Sequence, residues 1–276
     1  MEGKVCMITG ANSGIGKATA MGLAEMGATV VMVCRNKERG EEAQKEIIEY
    51  TGNRNIDLLL CDLSSQDQIR KLVSEFKQKY QKLNVLINNA GLMRSERQLS
   101  CDAIEMNFAV NYLAPFLISN LLLDVLKTSA PSRIINISSA LHKNATLDFD
   151  DLQCENKNYR AFKVYGVSKL AVTMFTYELS RKLNGTGVTV NAVHPGVVNT
   201  NLGRDQSAFS QLFAKAFFKK PRKGAETSIY LASSPEVEGI TGKYFVNKKP
   251  KESSEDSYNE EEAKKLWEIS AKLTNL

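Results

Sequence analysis

The sequence predicts an α/β protein, a doubly wound parallel sheet of seven strands flanked by helices, in one domain over residues 1–276. Three observations predict it. A short apolar run, Lys4–Thr9, enters a glycine-rich turn that opens a helical stretch, Ile15–Met26. Strand-length apolar runs then alternate with amphipathic helical stretches to about residue 246. No internal repeat or second domain is visible, and 276 residues with 43% hydrophobic content are ample for one core.

The first turn reads Thr9-Gly10-Ala11-Asn12-Ser13-Gly14-Ile15-Gly16. Glycines let the backbone approach a diphosphate, and the helix start supplies unpaired N–H groups and partial positive charge. Gly10, Asn12, Ser13, Gly14, Ile15 and Gly16 are therefore candidate dinucleotide contacts; an ordinary strand–helix turn is the plainer reading. Thr29–Cys34 is the second strand. In a dinucleotide-binding fold its end meets the adenosine ribose, where an acid selects NAD. This strand ends in Arg35, followed by Asn36 and Lys37. A guanidinium matches a 2′-phosphate, so the expected cofactor is NADP(H), unless Arg35 points into solvent.

Glu38–Tyr50 reads as an amphipathic helix and Ile56–Cys61 as the third strand. Asp62-Leu63 follows at the strand's carboxyl end, and Asp62 either meets adenine or caps the helix Gln66–Tyr80. Val85–Asn88 is the fourth strand and ends in Asn88-Asn89-Ala90-Gly91, whose amides can tie strands together and touch a cofactor. Ala103–Lys127 reads as one long helix carrying Asn111. Pro115 bends it or sits where the lost bond is compensated. Arg133–Ile137, the fifth strand, delivers Ser138-Ser139 to the same edge, and the long loop Leu141–Arg160 suggests a functional or covering role.

The next helix carries Tyr165-Gly166-Val167-Ser168-Lys169, with Val167, Leu170, Ala171 and Met174 on one face. Tyr165 and Lys169, four apart, are neighbours. An ammonium beside a phenol lowers its pKa and makes it a usable acid/base. Alone, the pair equally fits a solvated lysine packed on a tyrosine. Gly187–Val193 is the sixth strand, followed by His194-Pro195-Gly196-Val197-Val198-Asn199-Thr200. Residues 200–223 mix phenylalanines with basic residues and read as a lid or as a fixed surface helix. Gly224–Ala232 is a helix, Gly242–Val246 the seventh strand, and Lys248–Asp256 a charged break. Ser257 and Glu260 have capping-box spacing and open a terminal helix over 257–274, with Ala263, Leu266, Trp267 and Leu273 as its apolar stripe.

The net charge of +5 is modest and dispersed, which argues against a nucleic-acid surface. Two histidines exclude a His-rich metal site, and no metal is expected. The 5 cysteines lack CxxC spacing and read as buried thiols in a reducing, cytoplasmic setting. The apolar stretch Leu113–Leu126 is broken by Pro115, Ser119, Asn120 and Asp124, so no membrane span is expected, and the early first strand leaves no room for a signal peptide or anchor.

Taken together, Thr9-Gly10-x3-Gly14-x-Gly16, Asn88-Asn89-Ala90-Gly91, Asn111, Ser139, Tyr165-x3-Lys169 and Pro195-Gly196 resemble the short-chain dehydrogenase/reductase family, in the family's order. Cys34-Arg35-Asn36, the text Ala192 to Val198, the insertion before Tyr165 and the tail from Lys265 are similar to its retinol dehydrogenase branch. Many members of that branch carry an anchor before the first strand, and none is expected here. The resemblance implies a Rossmann fold and hydride transfer between NADP(H) and a carbonyl or alcohol, with Tyr165 as acid/base. Lys169 would lower its pKa and hold the nicotinamide ribose, Ser139 would bind the substrate oxygen, with Ser138 its local rival, and Asn111 would hold a relay water. Asn36, Asp62, Leu63, Asn89, Ala90, Gly91, Pro195, Gly196, Val198 and Thr200 would line the cofactor site.

His142 and His194 read as structural. The tyrosine helix and Phe108–Leu126 are apolar nearly all round and need cover on both sides. The sheet covers one side, and the resemblance suggests a partner subunit for the other, in a dimer or tetramer. A non-catalytic NADP-binding sensor is the rival function; a methyltransferase is disfavoured by Arg35, which stands where an acid would bind ribose hydroxyls. The phenylalanines of 209–218 favour a hydrophobic or aromatic carbonyl substrate, and the resemblance adds retinoid-like compounds to that class.

Overall fold

A computed structural model describes residues 1–156, 158–196 and 221–276. Val198, Thr200 and most of the expected lid, 200–220, lie outside the described residues. Pro221, Arg222 and Lys223, assigned to that lid from sequence, instead open the helix Pro221–Ser233.

The strands are β1 (Val5–Thr9), β2 (Thr29–Cys34), β3 (Ile56–Leu60), β4 (Val85–Asn88), β5 (Ser132–Ile137), β6 (Val188–His194), β7 (Lys243–Val246) and β8 (Lys249–Lys251). They form one sheet in the order β3-β2-β1-β4-β5-β6-β7-β8. All neighbours are parallel except β7 and β8. Among the described residues the sheet thus has eight strands, where the sequence predicts seven. The extra strand lies in the stretch expected to be a charged break. An edge strand needs only main-chain bonds on one side, so Lys249-Pro250-Lys251 can pair although its side chains are exposed.

Strand order reverses between β1 and β4, and in such sheets ligands bind at that crevice, beyond the strands' carboxyl ends. Helices α1 (Gly14–Glu25), α2 (Lys37–Thr51) and Pro221–Ser233 cover one face, over a core that includes Ile8, Leu23, Val30 and Ile47. On the other face α3 (Gln66–Lys79), the helical stretch Met106–Thr128, α7 (Ala161–Lys182) and the C-terminal helix (Glu260–Leu273) share a second core with Phe76, Phe116, Phe175 and Leu266.

The long helix expected over Ala103–Lys127 is four pieces. Helix α4 (Met106–Phe108) passes into a π-turn (Ala109–Leu113), then α5 (Ala114–Leu121) and α6 (Leu123–Thr128). The cause is Pro115, which has no N–H for the carbonyl of Asn111 four residues back. The ladder slips by one, and the Ala114 N–H bonds the Ala109 carbonyl.

The C-terminal helix is capped by Asn259, whose Oδ1 accepts from the Glu262 N–H at 3.1 Å. The expected Ser257 cap is instead buried in a 3₁₀ turn, Glu255–Tyr258, where its hydroxyl donates to the Ser254 carbonyl. This helix also covers the apolar face that suggested a partner subunit. Trp267 packs edge-on to Phe116 at 4.9 Å between centroids and lies 5.9 Å from Phe175, and Tyr112 Oη is hydrogen-bonded to Ser270 Oγ at 2.6 Å. Of the cysteines, Cys6, Cys34 and Cys61 are buried as expected, whereas Cys101 is exposed and Cys154 half-buried. Among the described residues no helix is long and apolar enough to cross a membrane.

Candidate active site

The glycine turn is built to bring backbone close. Gly10 and Gly14 have φ of +67° and +54°, conformations that L side chains rarely adopt. A Cβ on Gly10 would meet the Ala90 Cα at 3.0 Å, and one on Gly16 would fall on the Gly10 carbonyl oxygen and Asn89 Nδ2. Two turns are locked together here. Thr9 Oγ1 accepts from the N–H groups of Asn89 and Ala90, both at 3.0 Å, and Asn89 Nδ2 donates to the Thr9 carbonyl at 2.7 Å. The Asn89 amide is therefore a clamp between β4 and the glycine turn. Ser13 is the N-cap of α1 but makes no side-chain cap bond, so the first-turn N–H groups stay available to an anion. This glycine cradle before a helix start fits a dinucleotide's diphosphate.

Beyond β2 and β3, Arg35 Nη1 lies 3.7 Å from Asp62 Oδ2, with the arginine side chain 67% exposed. So open a pair holds the guanidinium only weakly. Asp62 Oδ1 accepts from the N–H and hydroxyl of Ser64, at 3.0 and 2.7 Å. The N-cap of α3 is Ser65, not Asp62. Asn36 caps α2 by accepting from the Arg39 N–H at 2.8 Å, and Leu63 packs against the core. Pro195 and Gly196, the latter at φ +85°, follow β6 at the same edge.

Strand β5 and α7 bring the remaining residues together. Ser138 is turned away: its hydroxyl bonds Thr173 Oγ1 at 2.9 Å and the Lys169 carbonyl at 3.2 Å, inside the protein. The Ser139 side chain is close enough to the Tyr165 hydroxyl to oppose the rise in its pKa, so of the two serines it is the one that faces the tyrosine. Lys169 Nζ donates to the Ile137 carbonyl at 2.8 Å and sits 5.6 Å from the Tyr165 ring centroid. Asn111, in the π-turn, pairs with the Leu92 main chain: Oδ1 accepts from its N–H at 2.8 Å and Nδ2 donates to its carbonyl at 2.9 Å. A Cβ on Gly91 would meet Asn111 Oδ1 at 3.3 Å and Lys169 Nζ at 3.5 Å, so both side chains converge on that glycine.

The electrostatics correct one expectation. Burial pushes the Tyr165 hydroxyl up to about 12, opposed by the Ser139 side chain. Burial also lowers the Lys169 ammonium to about 8. Desolvation outweighs the lysine four residues on, because both groups are almost wholly enclosed. Near neutral pH the tyrosine is a proton donor and the lysine a cation held by a carbonyl.

Two contributors carried no role in the sequence reading. Thr9 was quoted only as part of a motif, yet it links both cofactor-side turns. Ser168 accepts from Asn111 Nδ2 at 3.0 Å and donates to the Tyr165 carbonyl at 2.7 Å, joining the asparagine to the tyrosine helix. Its signal was a small hydroxyl inside the pentapeptide, but only the packing of the π-turn on α7 supplies its partner.

Comparison with known proteins shows the chain's family. A family model described as short chain dehydrogenase matches residues 4–211. Human retinol dehydrogenase 14 is 45% identical over 295 residues, covering 100% of this chain and 88% of that protein. Human retinol dehydrogenase 13 is 43% identical over 284 residues, covering 100% and 86%. Among solved structures, a putative uncharacterized protein from Mycobacterium paratuberculosis superposes with a TM-score of 0.82 at 29% identity, covering 99% of this chain and 94% of that one. A Pseudomonas aeruginosa RhlG/NADP complex, 24% identical with a TM-score of 0.72 over 93% and 97%, shares the fold. With its cradle, its serine–tyrosine pair and this likeness over its whole length, the chain belongs to the short chain dehydrogenase family of oxidoreductases.

Proposed function

We propose that the protein is an NADP(H)-dependent oxidoreductase that interconverts a hydrophobic aldehyde or ketone and its alcohol. The single observation that carries the reading is the Ser139 side chain facing the Tyr165 hydroxyl at the carboxyl end of β5. When bound, the nicotinamide supplies or accepts the hydride. The chain supplies two hydroxyls for the substrate oxygen: Ser139 orients it, and Tyr165 donates its proton as negative charge develops. Lys169 stays close enough to favour the phenolate left behind. The Asn111 amide is engaged by Leu92 and Ser168, and Pro115 offers no N–H to the Asn111 carbonyl, so a relay water is assigned to that carbonyl. Arg35, exposed and only weakly paired, is assigned to the 2′-phosphate. Retinoids are the first substrates to try, because the curated relatives are named retinol dehydrogenases.

Two variants test this. Tyr165→Phe removes the proton donor and keeps the ring. Retinaldehyde and aldehyde reduction, followed by NADPH absorbance, should fall by about 10²–10⁴-fold, with NADPH binding unchanged; full turnover rejects the assignment. Arg35→Ala should weaken NADPH binding by about 10-fold or more and leave NADH binding alone. An equal effect on both cofactors rejects NADP(H) selection by this residue.

A further inference from the structure

We infer that His142 is a positioning residue for Ser139, a two-ended clip that fixes the catalytic serine's backbone against the segment leading into the C-terminal helix. The inference rests on the reading of Ser139 given above.

The Ser139 carbonyl is held twice by the same residue. The His142 main-chain N–H donates to it at 3.2 Å, and the ring nitrogen Nδ1 lies 2.6 Å from it. At the other end of the ring, Nε2 accepts from the Ser254 N–H at 3.0 Å. The partners dictate the tautomer. A carbonyl can only accept, so Nδ1 carries the proton; a backbone N–H can only donate, so Nε2 is bare. The ring is wholly buried and packs edge-on to Tyr244 at 4.8 Å. Burial pushes its pKa down, consistent with a neutral ring.

Both ends are anchored. Ser139 opens the 3₁₀ turn Ala140–Asn144, and its Oγ also accepts from the Leu141 N–H at 3.3 Å. Neighbouring Ser253 is bound to α7 through Tyr177 Oη at 2.7 Å and to Ser257 Oγ at 2.6 Å. Ser254 therefore presents its N–H from a fixed segment. A side chain whose catalytic value depends on placement needs such support, since a misplacement of about 1 Å can cost about 10²-fold. His142 supplies it from outside the reacting atoms.

The test separates the two ends. His142→Asn places an amide N–H near the Nδ1 position and gives up Nε2. His142→Gln places an amide oxygen near Nε2 and gives up the bond to Ser139. Both lose one buried hydrogen bond and the ring contact, so comparable stability losses are expected. The proposal predicts that His142→Gln lowers kcat about 10-fold or more with KM for NADPH within about twofold, and that His142→Asn restores most of kcat. Equal kcat losses in both, or a loss confined to the KM for NADPH, overturn it. Nitrogen-15 NMR on the unmodified protein is the second measurement, with only two histidines to resolve. His142 must show a protonated Nδ1 and a bare Nε2; the opposite tautomer overturns the clip. Ser139→Ala distinguishes the levels. A normal rate there defeats the reading of the site and the inference with it, whereas an impaired Ser139→Ala beside a normal His142→Gln defeats the inference alone.

Discussion

Tyr165 and Lys169 show how burial outweighs proximity at the level of single residues. Their exposures are 9% and 2%, and among the described residues no carboxylate bonds the ammonium. Lys169 has a consequence for stability. Its folded pKa, about 8, lies below the ordinary lysine value near ~10.4. Between those values the unfolded chain binds a proton that the folded chain has released, so Lys169 makes stability rise with pH in that window. Tyr165 works in the opposite direction. Its folded pKa of about 12 exceeds the ordinary value near ~10, so above pH ~10 the folded chain keeps a proton that the unfolded chain loses, and stability falls as pH rises. Urea unfolding from pH 7.5 to 10 should show the native chain gaining up to about 3 kcal/mol relative to Lys169→Met. Parallel curves for the two proteins would show that the ammonium is not desolvated.

Among the secondary elements, the π-turn and the glycine turn are departures from regular structure with local causes. Pro115 removes one bond from its helix, and the slipped ladder carries Asn111 to the Leu92 main chain. The glycine turn is close-packed in the same sense. Gly16 lies in α1, where alanine is ordinarily the better helix former by about 1 kcal/mol. Here the added methyl would overlap the Gly10 carbonyl and Asn89 Nδ2. Gly16→Ala should therefore destabilise by about 2 kcal/mol in urea unfolding and weaken NADPH binding in a fluorescence titration. A stabilised variant with intact binding would mean that the two turns are not in contact.

At the scale of the whole molecule, the C-terminal helix changes what the apolar helices imply. Sequence alone leaves one side of α7 and Phe108–Leu126 without cover and so suggests a second subunit. Trp267, Leu266 and Ser270 supply that cover from within the chain, and the middle of α7, from Ser168 to Ser180, is buried. Light scattering should give the mass of one chain, while a chain ended at Tyr258 should self-associate or precipitate through the uncovered Phe116 and Phe175. A full-length dimer that survives dilution would show another surface at work.

The sequence by itself determined the alternation of strands and helices, the parallel sheet, the delivery of the glycine turn and of Ser138-Ser139 to one edge, and the pairing of Tyr165 with Lys169 on one helix. These follow from local signals: apolar runs, turn glycines, and a four-residue helical spacing that makes Tyr165 and Lys169 neighbours. Tertiary structure decided which serine faces the tyrosine, and that His142, bonded to Ser139, reaches Ser254 112 positions further along the chain. It also decided the direction of the two pKa shifts. Each of these depends on how many side chains exclude water from a point, or on a partner far away in the chain, and neither is encoded in the spacing of neighbouring residues.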